Sequence, residues 1–311
     1  MTPARKKRLA LILLMVGGVA TGVGFALKSL DQNIMFFFTP TEVVTGKDMV
    51  VIVVPSHHVR DIAGEISSHI SRETILVSAS KGIENTTHMT MTDVLHDVLP
   101  DIREGNLAVL SGPSFAKEVA RRFPTVITVA SKDLAVAETV QRVFATPYFR
   151  VYRNDDPLGV QLGGSVKNVI AIAAGIIDGL GLGLNTRAAL ITRGQTEIRR
   201  LGLRMGANPR TFTGLAGIGD LILTCTGDLS RNHTVGKKIG LGEKVADILA
   251  GMNMVAEGVR TAKSVYNLSR NLGVLMPICD EIYHVVYDGV SPRDALFRLM
   301  TRDLKQELDE D

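Results

Sequence analysis

The chain is poor in cysteine and lacks tryptophan altogether: 2 Cys and 0 Trp among 311 residues, with aromatics at 5%. Two thiols, Cys225 and Cys279, exclude a disulfide scaffold and a cysteine-based zinc site, and read as buried thiols of a reducing compartment. A charge excess is also missing. Lys plus Arg number 35 against 32 Asp plus Glu, for a net charge of +3. Arg5, Lys6, Lys7 and Arg8 supply four positive charges, so the remainder is close to neutral and nucleic acid is not an expected partner. The 7 histidines show no metal-ligand spacing, since His57 and His58 are adjacent rather than one helical turn apart, and no metal is assigned. What is plentiful is glycine, 30 residues, which points to tight turns and close backbone approaches. The length suggests two domains, and 45% hydrophobic residues suit ordinary globular cores.

After the basic cluster, Leu9 to Leu27 runs without a charge. That length can cross a bilayer as a helix. A buried helix and a cleaved signal peptide are the alternatives, but Lys28 spoils a small-residue cleavage site. The reading taken is an uncleaved transmembrane anchor with its basic end in the cytoplasm. An aromatic-rich stub follows, DQNIMFFFTPTEVVTGK over 31–47. Through the basic anchor and QNIMFFFTPTEV, residues 5–47 resemble the start of the bacterial haem chaperone of cytochrome c maturation. No counterpart of that family's haem-binding segment is present, so no haem chemistry is carried over.

From Met49 the pattern changes. MVVIVVP (Met49–Pro55) is the continuous apolar, β-branched run of a strand buried on both faces. Further strands are predicted at Thr74–Ser78, Leu107–Leu110, Thr125–Ala130 and Phe149–Arg153. Helices lie between them, near His57–Ile70, near Met89–Leu99, from Ser114, and over Leu134–Phe144. This alternation indicates a parallel, doubly wound α/β sheet of Rossmann type. From about Leu158 the pattern is helical almost to the end. The expected domains are an anchor and stub (1–47), a truncated dinucleotide-binding domain (48–153) and an all-helical substrate and catalytic domain (154–311). The glycine fingerprint that opens such sheets is incomplete. Gly22 and Gly24 lack the third glycine, and the glycines of a membrane helix explain them better.

Six motifs then occur in order: VPSHHVRDI (54–62), SASKGIE (78–84), LSGPSFAKEVA (110–120), LGGSVKNVIAIAAGIIDGLGLGLNTRAALITRG (162–194), GLAGIGDLILTCTGDLSRN (214–232) and VAEGVRTA (255–262). Together they closely resemble bacterial NAD(P)-dependent glycerol-3-phosphate dehydrogenase, from about Asp48 to about Glu307. The resemblance implies hydride transfer between sn-glycerol 3-phosphate and dihydroxyacetone phosphate for glycerophospholipid synthesis. It also implies NADP or NAD as cofactor and a small-molecule substrate, and it leaves a homodimer possible.

Individual residues carry chemistry of their own. Gly163, Lys167, Ile170 and Ala174 share one helix face, on which an ammonium needs a counter-charge. Burial there would lower the lysine's pKa and suit it to take the proton of a secondary alcohol. A snorkelling lysine is the equal alternative until the resemblance to the family's catalytic helix favours the base. Asp220 is either a turn aspartate or a partner of Lys167 or substrate; family position favours substrate binding. Ser230, Arg231 and Asn232 suit a phosphate monoester, or form a helix N-cap beside a solvated arginine. Lys81 follows a strand end, and Gly112, Ser114 and Ala116 belong to a second strand-end loop. Ligands sit at such ends, although turn chemistry explains either loop alone. The resemblance implies substrate contacts at Lys81, Gly112, Ser114, Asp220, Ser230, Arg231 and Asn232. Cofactor contacts are implied at Lys81, Ala116, Arg231, Val255 and Glu257.

The two resemblances conflict. The anchor stands where the first βαβ unit of the dehydrogenase belongs, which reads as a fusion. It would also place the catalytic part, cytoplasmic by family, on the far side of the inner membrane. The leading hypothesis is a dehydrogenase that keeps its catalytic lysine but holds its cofactor less well than its substrate. The other is a non-catalytic, membrane-tethered remnant that binds substrate or a partner.

Overall fold

The computed structural model describes residues 9–13 (backbone only), 39–252 and 256–307. They fall into two compact units, 1–161 and 162–311. The expected boundary at Arg153 and this division differ by one strand end and the first turn of a helix.

In the first unit β1 is Leu9–Leu13, α1 Pro40–Val44, β2 Met49–Val53, α2 Val59–Ile66, β3 Ile75–Ser78 and α3 Met91–Val98. Then come β4 (Leu107–Ser111), α4 (Ala116–Ala120), β5 (Thr125–Ala130), α5 (Leu134–Phe144) and β6 (Phe149–Asn154). The strands form one sheet in the order β1-β2-β3-β4-β5-β6. Successive side chains of β2 alternate between faces, and both faces are covered. Met49, Val51 and Val53 pack with Val77, Leu110, Val129 and the α5 residues Val140 and Phe144. Val50 and Ile52 pack with Leu76, Ile62 and Ile66 of α2, and Val94 and Leu95 of α3. Two buried faces explain why the strand reads as an unbroken apolar run.

Three expectations are corrected here. Leu9–Leu13 is a strand, not the start of a membrane helix; it pairs in parallel with β2, Leu9 opposite Met49 and Leu13 opposite Val53. The rest of the expected anchor, 14–27, lies outside the described residues, as do residues 31–38 of the stub. The stub's last part is helix α1, whose N-cap Thr39 forms a reciprocal capping box with Glu42 and whose Val44 joins the core. Second, the sheet is mixed: β4 and β5 pair antiparallel, Leu110 opposite Val129. Third, the strand order is sequential among the described residues, so the order reversal of a complete doubly wound sheet is not seen in them, while the expected Rossmann-like α/β sheet with helices on both faces holds. An uncharged apolar run is compatible with either helix or strand, and its sense in a sheet depends on the connections, not on the run.

The second unit is helical, as expected. α6 spans Pro157–Gly179, α7 Gly183–Arg204, α8 Asp220–Thr226 and α9 Arg231–Gly240. α10 is Val245–Ala250, α11 Glu257–Leu272, α12 Pro277–Tyr287 and α13 Pro292–Met300. Pro157 suits the first turn of α6, and Asp156 Oδ1 accepts the Gly159 N–H at 2.9 Å. Among the described residues α6 is the one helix long and apolar enough to cross a membrane, and its apolar window is wholly buried. It is a core helix packed on α9 through glycines on both sides. A Cβ on Gly175 or Gly179 would strike the backbone of His233 or Lys237, and one on Gly236 or Gly240 that of Ile172 or Ile176. The backbones touch because no side chain stands between them.

α12 is held differently. The buried carboxylate of Glu197, on α7, accepts the N–H groups of Ile278 (2.7 Å) and Cys279 (3.1 Å). Both donors belong to the first turn, which has no internal partners for them. Burial nevertheless pushes the Glu197 carboxyl up to about 7.

Candidate functional site

In the sheet unit the candidate residues gather at the ends of β3 and β4. Ser80, just after β3, donates to the Val54 carbonyl at 2.6 Å and accepts the Val54 N–H at 3.2 Å. That clasp sets the main chain that carries Lys81. The Lys81 ammonium donates to the Gly112 carbonyl at 3.4 Å, and Ser114 Oγ donates to the same oxygen at 3.1 Å. Gly112 has φ +143°, and a Cβ there would lie 3.0 Å from Ile127 Cα, so glycine is required. Ala116 begins α4 in the same loop. Lys81, Gly112 and Ser114 are therefore one cluster, as their shared strand-end positions suggest.

Two of the motifs meet here in a way not foreseen. Arg60 of α2 forms a two-pronged ion pair with Glu84, Nε to Oε1 at 2.8 Å and Nη2 to Oε2 at 2.9 Å, and also meets Asp97 at 2.6 Å. The guanidinium holds the Glu84 carboxyl below its usual range. VPSHHVRDI is thus fastened to SASKGIE, next to Lys81.

In the helical unit Lys167 is 5% exposed and Asp220 1%. Lys167 Nζ donates to Asp220 Oδ1 and to Thr224 Oγ1, each at 2.6 Å. Thr224 in turn donates to the Asp220 carbonyl at 2.6 Å. Asp220 and Thr224 are one turn apart on α8, so a single helix face presents both acceptors. The approach depends on Gly163, where a Cβ would lie 2.5 Å from the Ala216 carbonyl. The π-helical turn Leu215–Gly219, kinked at Gly217, delivers Asp220 to the lysine. Lys167 does not snorkel to water, and Asp220 is its counter-charge. Thr224 was missed by the sequence reading, though its i+4 spacing from Asp220 was the available signal.

The Ser230–Asn232 cluster divides between two uses. Ser230 is the N-cap of α9, accepting the His233 N–H at 3.2 Å. Asn232 is buried, and its Oδ1 accepts the Gly258 N–H of α11 at 2.9 Å. Arg231 lies in the same first turn; burial lowers its pKa while the Glu257 carboxylate opposes that shift. Glu257 opens α11, and Val255 lies outside the described residues. Both cysteines are free and buried, and burial pushes the Cys225 thiol up to about 12. No metal-binding group of His, Cys, Asp and Glu occurs among the described residues.

A sheet unit with basic and hydroxyl groups at its strand ends, followed in the chain by a helical unit built round a buried ammonium, is the architecture of two-domain NAD(P)-dependent dehydrogenases. Comparison with known proteins specifies which. The model for the NAD-dependent glycerol-3-phosphate dehydrogenase N-terminus matches residues 25–137, and that for its C-terminus matches 156–297. The chain belongs to that family. It is similar to the glycerol-3-phosphate dehydrogenase (NAD(P)+) of Syntrophotalea carbinolica, 56% identical over 281 residues, covering 90% of this chain and 84% of that one. The Geobacter sulfurreducens enzyme of the same name is 58% identical over 266 residues, covering 86% and 79%. The crystal structure of glycerol-3-phosphate dehydrogenase from Coxiella burnetii superposes with a TM-score of 0.81 at 36% identity, covering 84% of this chain and 79% of that one.

Proposed function

We infer that this chain catalyses its family's reaction, the reversible NAD(P)-dependent hydride transfer between sn-glycerol 3-phosphate and dihydroxyacetone phosphate, with Lys167 as its acid–base group. The observation that carries the inference is the buried Lys167 ammonium held on Asp220 and Thr224 at 2.6 Å. In reduction, Lys167 Nζ gives a proton to the oxygen on substrate C2; in oxidation it takes that proton back. Asp220 and Thr224 keep the lysine in one rotamer, so proton transfer does not wait on side-chain search.

Arg231 and Asn232 are the phosphate-binding pair in this reading. With Oδ1 of Asn232 committed to Gly258, its amide N–H2 remains the donor for a phosphate oxygen, beside the Arg231 fork. Ser230 acts through the cap rather than by contact. Lys81 and Ser114 offer an ammonium and a hydroxyl at parallel-strand ends, a donor set that fits cofactor and substrate oxygens. When bound, NAD or NADP supplies the hydride acceptor or donor. Glu257 and Ala116 are assigned to the cofactor side by family position. The product serves glycerophospholipid synthesis.

In the same reading Leu9–Leu13 is a strand of the sheet domain, and residues from 25 onward belong to the dehydrogenase rather than to a haem-chaperone anchor fused to it. Two observations support this: β1 pairs with β2, and the family model begins at residue 25. This reading needs no membrane and leaves the active part with its cofactors in the cytoplasm. The test is oxidation of NADH or NADPH by the purified chain with dihydroxyacetone phosphate. Turnover that Lys167→Met abolishes is the expected result; substrate binding without turnover would instead favour the non-catalytic remnant.

A further inference from the structure

The half-buried Asp178 and the buried His233 are ionisable groups that the mechanism above does not use. Asp178 lies in the last turn of α6, the helix that carries Lys167. Its Oδ2 is 2.8 Å from His233 Nε2, and its Oδ1 accepts Arg187 Nε of α7 at 3.0 Å. The side chains of Asp178 and His233 are 16% and 8% exposed. One carboxylate therefore joins three helices. His233 sits in the first turn of α9, two residues beyond Arg231, and its own N–H is taken by the Ser230 cap.

The neighbouring contacts leave that turn little freedom. Asn232 is tied to Gly258 on one side, and the His233 carbonyl abuts Gly175 of α6 on the other. Sliding α9 along α6 would drive backbone into backbone. Rotation of the first turn is the motion still open, and the His233–Asp178 pair opposes it. Arg231 precedes these two fastened residues, so its direction is set by them.

We propose that His233 is a positioning residue of the dehydrogenase, which through Asp178 fixes the α9 turn bearing Arg231 and Asn232 relative to Lys167, and so sets affinity for the substrate phosphate. The proposal rests on the reading that Arg231 and Asn232 bind that phosphate. It makes two demands that a merely structural histidine would not. Loss of the pair should act on KM for the phosphorylated substrate rather than on kcat, because Lys167 keeps its own partners. A cationic replacement able to meet the Asp178 carboxylate should restore the function, because the pair needs a donor and not an imidazole.

The experiment is steady-state kinetics on His233→Leu, His233→Arg, Asp178→Asn and Arg231→Met, with dihydroxyacetone phosphate and NADH varied separately and folding checked by circular dichroism. His233→Leu, which has no donor for the Asp178 carboxylate, should raise KM for dihydroxyacetone phosphate about tenfold, the equivalent of one lost charge-assisted hydrogen bond, with kcat and the NADH KM nearly unchanged. His233→Arg should recover most of that loss. Asp178→Asn should reproduce the KM rise, and it decides the matter if His233→Leu does not fold. Unchanged KM in the folded variants, a fall in kcat alone, or failure of His233→Arg to rescue overturns the proposal. Arg231→Met separates the two layers. If it raises KM while the His233 and Asp178 variants do not, positioning is wrong and phosphate binding stands. If it leaves KM unchanged, the phosphate assignment falls and the proposal with it.

Discussion

Lys81 of the sheet unit is half-buried and donates to a main-chain carbonyl at 3.4 Å; Lys167 of the helical unit is buried and held on a carboxylate and a hydroxyl at 2.6 Å. The surroundings differ in the same sense. Sheet hydrogen bonds leave strand-end loops open at the rim of a core that is already complete. The helical unit has no such rim, and its lysine enters the core, where an ammonium needs a counter-charge and a fixed geometry. A half-buried lysine on one long hydrogen bond can exchange it for a ligand, whereas a buried one is set before the ligand arrives. The difference suits the first to recognition and the second to proton transfer.

The largest expected effect tests that division directly. Lys167→Met should lower kcat by about a thousandfold, within the usual range for removing a general acid–base group. It should also cost stability, because the buried Asp220 carboxylate loses its counter-charge; circular dichroism separates the two effects. Lys81→Met should act mainly on KM, by about tenfold to thirtyfold, as the loss of a binding contact does. Equal losses of kcat in steady-state assays of the two variants would break the comparison.

The next effect concerns another buried ionisable group of the helical unit, Glu197. Burial raises the folded-state pKa of Glu197 from 4.5 to about 7. Its folded form therefore binds more protons than the unfolded chain between those values. Stability is full below about pH 4.5 and is lost as pH rises through about 7, by on the order of 3 kcal/mol. Denaturant unfolding across this range should show that slope in the parent and not in Glu197→Gln. A parent with flat stability, or a variant that keeps the slope, would place the titration elsewhere.

Glycines sharpen the same contrast at smaller magnitude. Gly236→Ala drives a Cβ into the Ile172 backbone, which cannot turn aside, and should cost about 2 kcal/mol. Gly64→Ala, in α2, meets nothing within 4 Å and should stabilise by about 0.5–1 kcal/mol. Thermal unfolding of the two variants checks both. Equal shifts would mean that the α6–α9 contact is looser than its backbone distances indicate.

The legibility of these features followed their range along the chain. MVVIVVP reads as a two-faced strand because both neighbours of each residue are apolar, and the structure places it inside the sheet. Lys167 could be singled out because an ammonium among small residues is conspicuous, and Asp220 followed as a charge in a glycine-rich turn. Leu9–Leu13 was misread because a run without charges or alternation contains no period to separate helix from strand. The sense of β5 against β4 is absent from its residues altogether. Glu197 as the cap of α12 was unreadable for another reason: the acceptor and its donors are 81 and 82 residues apart.

By itself, the sequence determined what short-range chemistry can determine. It set the apolar runs that become strands, the caps and prolines that open helices, and the residue types able to move a proton or hold a phosphate. Tertiary structure decided which of those capable residues act together. The kinked turn that swings α8 onto α6 selects the lysine-partner role among those open to Asp220 and adds Thr224 to it. His233 meets Asp178 only because glycines let α6 and α9 touch. The physical reason is that burial and charge pairing belong to neighbours in space, and those neighbours come from elements whose approach is set by the packing of the whole unit.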